Sequence, residues 1–254
     1  MYARTVTFTF TSDRSVRSAK FEACFRAPPR IDSNDNPYHL DGAHRHVIEG
    51  LRPNSRVLEI GCGGAQMRAF FTSRGHRYVG SDLSNDLSRW GTETDLQSFG
   101  GPDVFCDAHF LPFVDHQFDM VYSAAVTEHV ACPYLVVQEA FRCLKPGGLY
   151  LGNVAFLEPW HGDSFFHMTP LGVYEILIQG GFNPLHIWPG HGYHGFGSIM
   201  RMSSTATKKL SFIGSGINAV YRLNASLRNI VRPKPRIEDD ARVAGGIDWI
   251  AQRP

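Results

Sequence analysis

The feature that most restricts this chain is a short apolar run that ends in a cluster of glycines. Arg56-Val57-Leu58-Glu59-Ile60 is followed at once by Gly61-Cys62-Gly63-Gly64-Ala65. A brief, mostly aliphatic run bounded by glycine reads as a buried parallel strand. Glycines directly after it allow positive φ angles and let a ligand come close to the main chain. Ala65 to Arg74 then reads as a helix, whose first N–H groups have no partner inside the helix. Taken alone, such a loop fits a dinucleotide, another nucleotide-like ligand, or a plain strand-to-helix turn.

The alternation continues along the chain. A short helix is expected over about Leu40–Leu51, and strands over Tyr78–Asp82, Val104–Asp107, Phe118–Val126 and Leu149–Phe156. Pro133 to Leu144 has apolar residues at helical spacing and stops at Lys145-Pro146-Gly147-Gly148. Thr169-Pro170 opens another helix, with threonine as cap and proline at the first helical position, and it runs to Gly180-Gly181. Strand–helix alternation implies an α/β fold, a mostly parallel sheet with helices on both faces. Its ligands sit beyond the carboxyl ends of the strands. The 254 residues, 43% of them hydrophobic, suit one domain with a full core. Residues 1–37, polar and ending in Asp32-Ser33-Asn34-Asp35-Asn36-Pro37, read as an N-terminal extension, and 38–254 as the domain.

Two strand ends carry carboxylates. Asp82 lies 21 residues after Gly61, where it can accept hydrogen bonds from two ribose hydroxyls. Asp107 closes the next strand, where it can accept from an adenine amine. The glycine pattern is G-x-G-G and lacks the third glycine of the dinucleotide fingerprint.

These residues resemble the class I S-adenosylmethionine-dependent methyltransferases, in particular the ubiquinone-biosynthesis-type, or methyltransferase type 11, subgroup. Val57-Leu58-Glu59-Ile60-Gly61-Cys62-Gly63 is similar to that family's first motif, and Asp82 to its ribose-binding acid. Asp107-Ala108 with Leu111-Pro112-Phe113 resembles the adenine region, and Glu128-His129-Val130 and Leu144 to Gly148 the later motifs. The resemblance covers about Arg56 to Phe182. It implies a Rossmann-like, seven-stranded sheet with an antiparallel last strand, and S-adenosylmethionine as cofactor. The cofactor residues it implies are Glu59, Gly61, Cys62, Gly63, Asp82, Leu83, Asp107, Ala108 and Ser123. Asn183–Trp188 and Gly246–Ala251 would be the last two strands. The family joins these by a short turn, so residues 191–243 are expected to form an added, cap-like insertion.

Methyl transfer from a sulfonium is an in-line displacement by an already activated donor, so the protein contributes mainly alignment. A hydroxyl or amine acceptor also needs a base, for which histidine is suited. His129 after the fourth strand, and His161 and His167 after the fifth, are the candidates. The expected acceptor is a small molecule attacked at oxygen, with a sugar or lipid-linked intermediate as examples and nitrogen or carbon as alternative atoms. No metal is expected: His191-Gly192-Tyr193-His194 has no thiolate or carboxylate at close spacing. An Asn-Pro-Pro-aromatic motif for adenine methylation is absent from the sequence, as is a recognisable pyrimidine-attacking cysteine.

Net charge is only +1, which gives no strong nucleic-acid signal. Five cysteines without a C-x-x-C pair, no secretory h-region at the start and no membrane-length apolar run read as a cytoplasmic protein. The charge is uneven, however. Between Glu175 and Glu238 no acidic residue occurs, and 201–236 is basic with apolar residues at roughly helical spacing. That segment is expected to cap the site, to touch a membrane peripherally, to bind a phosphorylated substrate, or to mediate dimerisation. A methyltransferase-like scaffold without turnover, or an RNA-acting enzyme, are the alternatives for the whole chain. The oligomeric state is not legible.

Overall fold

The computed structural model describes residues 14–33, 37, 40–83, 100–161, 163–190, 194–203, 209–231 and 236–254, with the side chains of 14–18, 201–203, 211 and 231 excepted. Seven strands form one sheet: β1 (Arg56–Ile60), β2 (Arg77–Asp82), β3 (Val104–Phe105), β4 (Phe118–Ala124), β5 (Leu144–Ala155), β6 (Asn183–Pro189) and β7 (Gly246–Gln252). Their spatial order is β3-β2-β1-β4-β5-β7-β6. β7 runs antiparallel to both neighbours, placing Asp248 opposite Asn153 on one side and Trp188 on the other. All other pairings are parallel. Strand order reverses between β1 and β4, so the crevice beyond their carboxyl ends is where a ligand is expected.

Alternate residues of the central strands feed two cores, one on each face, as the two-residue period of a strand requires. Leu58, Val121 and Trp249 pack with Val137 and Leu177 on one face. Val57, Met120, Tyr122 and Ile250 pack with Met67 and Phe71 on the other. The helices that cover these faces are α1 (Arg14–Cys24), α2 (Gly42–Glu49), α3 (Met67–Thr72), α4 (Pro133–Cys143) and α5 (Pro170–Gln179). The Thr169 hydroxyl accepts from the Gly172 N–H, closing the cap read from the sequence. Between β6 and β7 lie α6 (Gly195–Ser203), α7 (Ser211–Val231) and α8 (Arg236–Ala241).

Several elements differ in extent from their sequence expectation. The helix expected over 65–74 begins only at Met67, because Ala65 has φ +56° and so leaves helical geometry. The third strand keeps only two residues. The fifth starts at Leu144 rather than Leu149, running through the Lys-Pro-Gly-Gly turn with Gly147 at φ +77° and a register irregularity against β4. Within residues 1–37, Arg14–Cys24 is helical. Phe21 stacks on Phe25 at 5.0 Å and meets Tyr174 edge-on at 5.7 Å, and Phe25 bridges to Ile187. Phe21, Phe25 and the buried Cys24 dock this otherwise polar stretch on the core. No helix of the described residues is long and apolar enough to cross a membrane.

Candidate active site

The glycine loop is pinned to the end of β2. The Gly61 and Cys62 N–H groups donate to the Ser81 carbonyl at 2.8 and 3.0 Å, and the Gly63 N–H donates to Asp82 Oδ2 at 2.7 Å. Gly61 sits at φ +69° with the Val126 side chain where its Cβ would be, so neither the conformation nor the space admits another residue without strain. Val126 belongs to the loop after β4, in which Ala125 also takes a positive φ of 53°. Two non-glycine residues at positive φ, Ala65 and Ala125, thus flank one crevice, and strain of this kind collects at functional sites.

Glu59 is buried beneath that loop. It accepts a short hydrogen bond from the Tyr78 hydroxyl, which reaches it beside Gly80. Burial pushes its carboxyl up to about 8, with the Asp82 charge adding to the rise and the Tyr78 bond opposing it. Cys62 is a buried thiol whose pKa burial also raises. Asp82 is fixed by a second bond, from the Leu83 N–H at 2.7 Å, and the Leu83 side chain next to it is 72% exposed. At the end of β3 the Asp107 side chain remains half-exposed. Burial works against its ionisation, but bonds from the His109 N–H at 2.9 Å and the His109 ring at 2.6 Å outweigh it and hold the pKa below the usual carboxylate range. The same ring accepts from the Cys132 N–H at 3.1 Å through Nε2, which leaves Nδ1–H to face Asp107. Ala108 is half-buried against the core. Ser123 is wholly buried within β4, with its hydroxyl beside that of Tyr150.

A second cluster begins directly after Val126, the residue that packs on Gly61. Thr127–His129 form one 3-10 turn after β4, and the loop after β5 folds back over it, with Phe165 and Phe166 N–H groups donating to the Glu128 carbonyl at 2.6 and 3.2 Å. His129 and His161 meet edge to face at 5.3 Å, and His161 and His167 lie 5.6 Å apart. Ligand atoms of Glu128, His129 and His161 all fall within 4.8 Å of one another. Such a set can share a proton, and the same three donors could hold a divalent ion. Glu158 Oε2 stands 3.6 Å from His161 Nδ1, which also contacts the Pro159 carbonyl at 2.9 Å. His167 Nε2 lies 3.2 Å from the Ser164 hydroxyl. His191 and its two successors lie outside the described residues, and His194 accepts the Gly197 N–H at 3.0 Å.

Residues 58–152 match the model of a family described as the methyltransferase domain. Within that stretch fall the glycine loop, Asp82, Asp107 and Glu128-His129. These residues form a class I, S-adenosylmethionine-dependent methyltransferase domain. A sterol 24-C-methyltransferase of Schizosaccharomyces pombe is 36% identical over 115 residues, 42% of this chain and 30% of its own length. A probable fatty acid methyltransferase of Mycobacterium tuberculosis is 27% identical over 63% of this chain and 35% of its own. The chain thus spans about a third of the length of these relatives. Among solved structures, a Bacillus halodurans protein assigned as a methyltransferase superposes with a TM-score of 0.51 at 22% identity, over 82% of this chain and 96% of its own, a likeness of fold.

The cofactor of the methyltransferase domain is S-adenosylmethionine, and the residues present fit it. The donor's ribose hydroxyls and adenine amine need hydrogen-bond acceptors, and Asp82 and Asp107 offer carboxylate oxygens at consecutive strand ends. Its adenine needs an apolar cover, and the side chain of Leu83, next to Asp82, is exposed. Glu59 and the glycines at positive φ were legible in the sequence. Tyr78, His109 and Glu158 were not, because each acts on a residue distant in the chain or unremarkable in spacing.

Glu128 makes the methyltransferase domain sensitive to pH. Its Oε1 accepts from the Ala155 N–H at 3.1 Å, and burial, with the Glu158 charge adding, raises its pKa from 4.5 to about 7. Between those values the folded chain holds a proton that the unfolded chain has lost, so stability falls as pH rises through the window. Glu128→Gln keeps the acceptor and removes the ionisation. Its unfolding free energy should match the wild type near pH 5 and exceed it near pH 8 by on the order of 2 kcal/mol, with a correspondingly higher melting temperature. An unchanged difference between the two pH values in a thermal melt would contradict this.

Proposed function

We propose that this chain transfers the methyl group of S-adenosylmethionine to a small, largely apolar acceptor of lipid type. The observation that carries the acceptor class is the wall beside the histidine cluster. Leu157, Trp160, Phe165 and Phe166 project from the loop after β5, and Trp160 is 73% exposed although its indole N–H is tied to the Ser164 carbonyl at 3.0 Å. Large apolar side chains held outward around a crevice suit an apolar ligand that covers them. The names of the relatives, a sterol and a fatty acid methyltransferase, support the same class. A reducing cytoplasm, where five free thiols are ordinary, suits the chain.

The cofactor supplies an activated methyl group. The chain's own work is to hold the donor through Asp82 and the glycine loop, to seat the acceptor against the aromatic wall, and to take up the proton released from the acceptor. His129 is the group we assign to that proton, because its turn adjoins Val126, which packs on Gly61, and His161 and Glu128 adjoin it. A hydroxyl oxygen is the first reading for the attacked atom. The likeness to a sterol 24-C-methyltransferase favours carbon as the second, and the same base serves both.

Purified protein with methyl-labelled donor should transfer label to one of a panel of sterols, unsaturated fatty acids and hydroxylated lipids, with a product that carries a methyl group in place of one hydrogen in mass spectrometry. Label passing instead to sugars or RNA, with none to lipids, would refute the acceptor class. His129→Ala should lower kcat by about a hundred- to ten-thousandfold while donor affinity stays near that of the wild type. Equal losses in both would place His129 in the cofactor site.

A further inference from the structure

The longest helix among the described residues packs the wrong way round for an ordinary amphipathic element. Along α7, Gly214, Asn218, Tyr221, Ala225 and Asn229 recur at three- and four-residue steps and are the buried or half-buried positions. A Cβ at Gly214 would lie 2.7 Å from the Phe196 carbonyl oxygen, so this face approaches α6 backbone to backbone. The flanks are tied to α8: Arg222 to Asp240 at 2.7 Å, Arg228 to Asp239 at 3.4 Å, and Asn229 to Asp239 at 3.3 Å. What points away from the body is apolar. Phe212, Val220, Leu223, Leu227 and Ile230 lie on the opposite face, with Val220 69% and Ile230 78% exposed. Helices ordinarily turn such a stripe toward the core.

Charge selects what covers it. Residues 201–236 carry eight basic side chains and no acidic one. Arg222, Arg228 and Arg236 are ion-paired with Asp239 and Asp240 of α8, and the other five (Arg201, Lys208, Lys209, Arg232 and Lys234) flank the helix in the sequence on both sides. Lys209 is exposed at the entry to the helix, and Lys208, Arg232 and Lys234 lie outside the described residues. Two copies of this segment face to face would set basic against basic. An anionic lipid surface complements both the stripe and its basic ends, and a helix with such a face lies in the plane of the headgroups. The geometry points to α7 as the element that docks this protein on an anionic bilayer, apolar face down, with the methyltransferase domain above it. This holds whichever acceptor is methylated, so failure of the lipid-acceptor reading leaves it standing, and the reverse.

Co-sedimentation of the full chain with vesicles tests it. Binding to vesicles of equal parts phosphatidylcholine and phosphatidylglycerol should be at least about tenfold stronger than to phosphatidylcholine alone, and should weaken with salt. Leu223→Glu with Leu227→Glu alters only exposed positions. It should reduce vesicle binding at least about tenfold, with circular dichroism and S-adenosylmethionine affinity unchanged. Lys208→Glu with Lys209→Glu should flatten the salt dependence without touching the stripe. Absence of vesicle binding by the wild type, or equal binding by the leucine variant, would overturn the assignment. So would light scattering that finds a dimer which the leucine variant splits, since a second copy would then own the face.

Discussion

Replacing Asp82 by alanine should weaken S-adenosylmethionine and S-adenosylhomocysteine binding by about a hundred- to a thousandfold. Two hydrogen bonds to a charged acceptor contribute about 1.5–3 kcal/mol each, and that sum corresponds to at least two orders of magnitude in affinity. The loss has a second source within the chain itself. Asp82 Oδ2 accepts the Gly63 N–H and Oδ1 the Leu83 N–H, so the alanine variant also frees the glycine loop that faces the ligand. Asp82→Asn keeps one oxygen acceptor and should fall between the two. Calorimetric titration reads the effect directly, and the rise in melting temperature that the donor gives the wild type should vanish in parallel. An affinity within threefold of the wild type would mean that the β2 end does not hold the ribose.

The largest effect on stability should come from Trp249→Ala. Trp249 is wholly buried at the centre of β7, edge-on to Tyr150 at 5.6 Å, in the strand that joins β6 to the rest of the sheet. Large-to-alanine changes at such sites cost about 3–5 kcal/mol, because the cavity left behind does not fully close. For a chain of this size that lowers the melting temperature by roughly 10 °C. The indole occupies space that only glycine leaves open across the strand pair: a Cβ on Gly152 would run into the Trp249 ring and the Ser123 carbonyl. Gly152→Ala should therefore be destabilising by itself. Combined with Trp249→Ala it should cost less than the sum of the two, since one clash partner is gone. Full additivity in chemical denaturation would show that the ring and the glycine are not coupled.

The sequence determined the sheet. Short aliphatic runs ended by glycine or aspartate, and helices closed by Thr-Pro at one end and Pro-Gly-Gly or Gly-Gly at the other, are signals carried within a few residues. The central parallel strands and the α5 cap follow them, whereas the antiparallel direction of β7 was implied only by the family resemblance. Asp82 and Asp107, the carboxylates expected to face the cofactor, stand out for the same reason, since they close strands that the pattern already marked. Boundaries were less legible where the backbone takes a positive φ, as at Ala65 and Gly147.

Only the tertiary structure decided which of these residues act on one another. Glu128 and His161 are far apart in sequence, yet the loop after β5 folds back onto the turn after β4 and sets them in one cluster. Burial then raises the carboxylates of Glu59 and Glu128, a shift that no local pattern encodes. The basic segment shows the division most clearly. Its sequence contains the apolar stripe and the charges, because helical period is a local property. Which face turns inward depends on Gly214 closing against α6 and on Asp239 and Asp240 of α8 taking the arginines, and those are contacts between elements.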